Sequence, residues 1–261
     1  MADSFYNLDS RPHSRISMTA VTLLWAMRFL MFGLLGYGIF TWNLEGVGAC
    51  VLGLFLSLVP WAVNRIVPHP FPKVMSFLWT LIITLEVVGR GFDLYDTVYG
   101  YDKGAHVVET ACVAGMALVS VVAYRLYQHT KMAGWFAWTV AFSVAMALGG
   151  IWEIVEFLHD FLRGCQQLRE CDQPNLLDTN LDLVSDVLGA VIGATVAHLF
   201  THIRHDDLLE RELILFAHWI AGDARQTDDN TSQWSGVAGK SLDGPTGRRG
   251  KADLTKLGSP H

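Results

Sequence analysis

Trp152-Glu153-Ile154-Val155-Glu156-Phe157-Leu158-His159-Asp160 closes one long apolar run, and Asp178-Thr179-Asn180-Leu181-Asp182-Leu183-Val184-Ser185-Asp186-Val187-Leu188-Gly189-Ala190 opens the next. On a helix, Glu153, Glu156 and Asp160 fall at i, i+3 and i+7 and share one face. Asp178, Asp182 and Asp186 fall at i, i+4 and i+8 and share another. Carboxylates within apolar runs of spanning length are costly in a bilayer and face a bundle interior or a wet cavity. The two stretches therefore predict membrane helices whose ends carry a polar site.

The rest of the chain agrees with a membrane class. Of its 261 residues, 51% are hydrophobic and only 17% charged, a balance that suits lipid better than water. The expected fold is all-α, a polytopic helical bundle with about six spans at 18–41, 47–63, 74–92, 104–127, 135–162 and 181–200. Pro60, Pro68, Pro70 and Pro72 break the chain between spans two and three. The net charge of -6 is modest, and no basic cluster interleaved with aromatics suggests nucleic acid.

The expected domain order is a cytoplasmic segment 1–17, a six-span domain 18–200, a cytoplasmic amphipathic helix 201–223 and a disordered tail 224–261. Residues 1–14 lack the order of a signal peptide, so the first span is expected to stay as an anchor. Arg11, Arg15, Arg65, Lys73, Arg125, Lys131, Arg204 and Arg211 fall on the side of the termini. That asymmetry places both termini in the cytoplasm. Arg28, inside the first span, is expected to snorkel toward the cytoplasmic surface.

With that topology the polar residues of four spans collect at the outer end. The rise of ~1.5 Å per residue puts Asp102, Asp160 and Asp178 at a mouth, His106, Glu156 and Asp182 about 6 Å lower, and Glu109, Glu153 and Asp186 roughly 10–12 Å down. Arg90 is expected to reach the lower layers from span three, where Glu86 and Asp93 share its face. Asp102 and Asp178 are read as helix N-caps. So many carboxylates need protons, Arg90 and Lys103, or a bound cation to offset their repulsion. The candidate metal ligands are His106, Glu109, Glu153, Glu156, Asp182 and Asp186. Arg90, Asp93, Asp102, Lys103, Asp160 and Asp178 support them. The donors suit Mg2+, Mn2+ or Ca2+, with Zn2+ or iron also compatible. Gly149, Gly150, Gly189 and Gly193 are read as packing positions. Cys165 and Cys171 share one outer loop, where a disulfide is permitted.

At these residues the chain resembles a family. Tyr101-Asp102-Lys103 with His106, Trp152-Glu153 with Glu156-Phe157, and Asp178-Thr179 with Asp182, Asp186 and Gly189-Ala190 are similar to the YjdF-type bacterial membrane proteins. More loosely they resemble VanZ-like proteins, which share the Asp-Lys-x-x-His start. The likeness covers about 92–194. It implies a multi-span membrane protein, and the VanZ-like link implies cell-envelope chemistry.

Three functions compete. The first is an outward-facing cation or polar-ligand site in the bacterial inner membrane, serving an enzyme that acts on a lipid-linked envelope substrate. The second is an ion- or proton-coupled transporter, the third an accessory subunit docked on a partner membrane protein. Whether the chain is an enzyme stays open at this point.

Overall fold

A computed structural model of the chain describes residues 15–66, 71–165, 171–203, 213, 216 and 217. These residues belong to one compact unit. Its helices are α1 (Arg15–Thr41), α2 (Leu44–Ser57), α3 (Val59–Ile66), α4 (Lys73–Gly91), α5 (Leu94–Thr97), α6 (Tyr101–Tyr127), α7 (Gly134–Arg163) and α8 (Leu176–Ile203). No strand occurs among the described residues. Six helical segments are long and apolar enough to cross a membrane, with α2 and α3 together forming the second. Large apolar side chains such as Phe29, Phe40, Phe55, Trp135 and Phe161 stand outward, as lipid-facing residues do.

The helices form two groups of three. α1, α2 and α4 pack around Met31, Leu34, Cys50, Ile83 and Val87. α6, α7 and α8 pack around Ala114, Leu118, Ala141, Ala145, Ala190 and Ala194. The α4–α6 contact joins the groups. Leu213, Phe216 and Ala217 are buried in the second core, with Phe216 edge-on to Phe71 at 5.3 Å between centroids. The segment after α8 thus docks on the bundle at these residues. The remainder of the expected surface helix beyond Ile203, the N-terminal segment before Arg15 and the tail 224–261 lie outside the described residues.

Small residues let the second group close. On α8 the buried face reads Asp182, Ser185-Asp186, Gly189-Ala190 and Gly193-Ala194. A Cβ on Gly189 would run into the Val107 carbonyl, and one on Gly193 into the Ala111 backbone. Only a bare Cα lets α8 approach α6 this closely. On α7 the matching stripe is Ala137, Ala141, Ala145, Gly149 and Glu153, four residues apart each time. One row per helix therefore carries acids toward one end and small apolar groups elsewhere.

The second expected span is present at Gly46–Ile66, with a break at Leu58 between α2 and α3. Pro60 has no N–H to offer the Leu56 carbonyl four residues back. The indole Nε1 of Trp79 donates to that carbonyl instead, at 3.0 Å. Arg28 does not snorkel. It is buried, donates through Nη2 to the Ser57 carbonyl at 2.5 Å, and lies 5.1 Å from the Trp25 ring centroid. A carbonyl at the helix break is a better partner than a distant interface, because carbonyls not used within a helix must find a donor inside lipid.

Candidate functional site

The site forms where the starts of α6 and α8 meet the second half of α7. Gly100 takes φ +77 before α6, a left-handed conformation that suits glycine, and so starts the helix at Tyr101. On α8 the Asn175 side chain accepts from the Leu177 and Asp178 N–H groups at 3.0 and 3.2 Å, starting that helix five residues before the expected 181. Asp102 and Asp178 are therefore not the caps; both sit inside the first turn. Their carboxylates are left to face a side chain.

That side chain is Lys103. Its Nζ lies 2.7 Å from Asp102, 2.6 Å from Asp178 and 2.7 Å from Asp182. Below it His106 is buried between two pairs of acids. Nδ1 is 3.2 Å from Asp186 and 3.8 Å from Glu153. Nε2 is 3.7 Å from Asp182 and 3.8 Å from Asp102. Glu153, Asp182 and Asp186 are 5%, 2% and 1% exposed, so water does little to screen them. Five carboxylates thus face two basic groups.

Neutral donors hold the deepest acids. The Thr110 hydroxyl donates to Asp186 Oδ1 at 2.5 Å. The Gln173 amide donates to Glu153 Oε2 and to the Glu153 carbonyl, both at 2.8 Å. Yet Glu153 Oε1 and Asp186 Oδ2 are buried without a hydrogen-bond donor. Asp186 Oδ2 occupies the space where a Cβ of Gly149 would stand. Ligand atoms of His106, Glu153 and Asp186 all lie within 4.8 Å of one another, as do those of Asp102, His106 and Asp182.

Other expected members stand apart. Asp160 holds the loop after α7. It accepts the backbone N–H groups of Asp172 and Gln173 at 3.0 and 2.8 Å, and so anchors the loop that delivers Gln173. His159 binds Asp172 at 2.5 Å, and a disulfide joins Cys165 to Cys171, with Cα atoms 5.8 Å apart. Arg90 pairs with Glu86 on its own helix at 2.7 Å and lies over the Tyr95 ring. Tyr95 also donates to Glu86. Burial, and then the Glu86 carboxylate, push the Tyr95 phenol above its usual range, so the hydroxyl keeps its proton. Asp93 is exposed in the turn before α5, with φ +53. Glu109 Oε1 is buried without a hydrogen-bond donor. Glu156 is half-buried and has no hydrogen-bond or ion-pair partner among the described residues.

The family model for a predicted membrane protein, DUF2238, matches residues 18–203. The chain belongs to the DUF2238 family. No curated protein matches it, and no solved structure does. The match spans all six candidate spans of this DUF2238 chain almost end to end, so the motif residues and the amino-terminal helices belong to one family unit.

Gln173 is a site residue that only the folded chain reveals. A lone glutamine in a polar loop carries no periodic signal, and only the Asp160 anchor brings it back over Glu153. Gly149 was legible as a packing glycine but not as the gap that admits Asp186.

Proposed function

We propose that the chain is a bacterial inner-membrane protein that binds a divalent cation in an outward-facing site, with His106, Glu153 and Asp186 as central ligands. The observation that carries this reading is the convergence of three buried ligand groups within 4.8 Å, two of them carboxylates with an oxygen that no donor satisfies. A cation would supply the missing positive charge. One imidazole nitrogen among carboxylates suits Mn2+, Zn2+ or iron better than Mg2+ or Ca2+, which take oxygen shells. Asp182 lends its charge from the other side of His106, and Glu109 and Glu156 lie in the same field. The Lys and Arg distribution supports the outward orientation.

Three protein ligands leave positions for water or a substrate oxygen, the arrangement of a hydrolytic centre. Glu156 lies three residues beyond Glu153 toward the end of α7, one turn closer to the mouth. The exposed Trp152, Phe157 and Phe161 set this end of α7 against lipid, so the polar headgroup of a lipid-linked envelope compound fits as substrate class. The resemblance to YjdF-type and VanZ-like proteins points the same way. A transport path is less well supported. Beyond the acids the facing stripes continue as Ala114, Leu118, Ala145, Ala141, Ala190 and Ala194.

Metal content and thermal stability of the purified protein, Glu153→Gln and Asp186→Asn test the reading together. About one Mn2+ per chain is expected in the wild type, with stabilisation of about 2.7 kcal/mol at a hundred times Kd. Both variants should insert normally and lose the metal and its effect. Wild type that takes up no metal, beside variants that melt early, would assign the cluster to structure alone.

A further inference from the structure

The carboxylates of Asp102, Asp178 and Asp182 aim at a single point, and Lys103 Nζ sits there at 2.6 to 2.7 Å from each. The three acids come from two helices, and the lysine from the same turn as Asp102. Asp182 is 2% exposed, and accepts a directed hydrogen bond from Lys103 only through Oδ2, at 2.9 Å. Its Oδ1 lies near both Nζ and His106 Nε2 but receives no directed bond. That oxygen is a buried acceptor turned into the cradle. An ammonium and a small metal ion are both compact charges that gather carboxylates, but an ammonium has only three donors to distribute.

We infer that this cradle is a second cation site, for which the chain supplies its own occupant, the Lys103 ammonium. The inference rests on reading His106, Glu153 and Asp186 as a cation site, since Asp182 then stands between two cation positions. The ligand class is a small divalent cation, held by Asp102, Asp178 and Asp182 once the ammonium is gone. Lys103 thereby sets the stoichiometry, one exogenous cation where three carboxylates alone would invite two. It also stands on the mouth side of His106, so a cation entering from that end meets the tethered charge first.

Four forms of the full chain separate the two ideas, each purified in detergent and equilibrated with Mn2+. They are wild type, Lys103→Gln, Glu153→Gln and the double variant. Bound Mn2+ per chain should be one, two, none and one. The wild type minus Glu153→Gln difference tests the underlying site. The Lys103→Gln minus wild type difference tests the cradle, whatever the first shows. Lys103→Arg, which keeps the charge, should stay at the wild-type count. Equal counts in Lys103→Gln and wild type would overturn the inference. If Lys103→Gln is unstable without metal, Mn2+ should restore its melting temperature more than it raises that of the wild type. Failure of Mn2+ to restore it, with Lys103→Arg well folded, would overturn the inference as well.

Discussion

A methyl group at Gly149 would meet the Asp186 carboxylate, which Thr110 and His106 hold from the other side. The carboxylate is the end of a side chain, so it can move, but moving breaks both contacts. Gly149→Ala should therefore cost the fold about 1–3 kcal/mol, the range of overpacked sites. Its cation affinity should fall much further, by at least about tenfold for each ~1.4 kcal/mol of lost ligand geometry. Calorimetric titration with Mn2+ beside a thermal melt would show this. An affinity equal to wild type would mean that Asp186 is not a ligand.

At the scale of elements, the α6–α8 seam depends on two glycines with the opposing backbone against them. Backbone cannot swing aside as a side chain can. Gly193→Val should force the helices apart and lower stability by roughly 3 kcal/mol or more, beyond a typical overpacking cost. Gly150→Ala, with nothing within 4 Å, should be neutral or gain up to about 1 kcal/mol from helix propensity. Melting curves in one detergent compare the two directly. The spacing of Asp182, Asp186 and Gly189 made this face of α8 legible in the sequence, because a helix repeats every 3.6 residues. The starts of α6 and α8 were not legible in the same way. Asp102 and Asp178 looked like caps by residue type, whereas Gly100 and Asn175 set the first turns. Arg28 misled for a different reason: the carbonyl it binds at Ser57 lies twenty-nine residues away, at a break that only Pro60 announces. Local pattern gave the faces of helices; which faces meet depended on contacts between distant residues.

For the molecule as a whole, orientation decides what the site can meet. The connection before α6 carries Tyr99, fully exposed, and the α6–α7 connection carries Thr130, also exposed. The free cysteines Cys50 and Cys112 are both buried, which keeps background labelling low. In intact cells an impermeant thiol reagent should label Tyr99→Cys and spare Thr130→Cys. The reverse pattern would turn the acidic cluster toward the cytoplasm and remove envelope substrates from consideration.

The thirty residues of α7 span ~45 Å, against a hydrocarbon layer of ~30 Å. This helix meets its neighbours along the row Ala137, Ala141, Ala145, Gly149 and Glu153, with Trp138 donating to Thr195, and much of its remaining surface faces outward. Such a helix answers to hydrophobic mismatch: a thinner bilayer tilts it further, and Glu153 rides on it. His106 and Asp186 stand on α6 and α8, which close on each other through Gly189 and Gly193. If the cluster holds the proposed cation, membrane thickness becomes a variable of its coordination geometry. Mn2+ affinity in vesicles of short- and long-chain lipids should differ by several fold. Equal affinity across chain lengths would show that α7 is fixed more firmly than its alanine row implies.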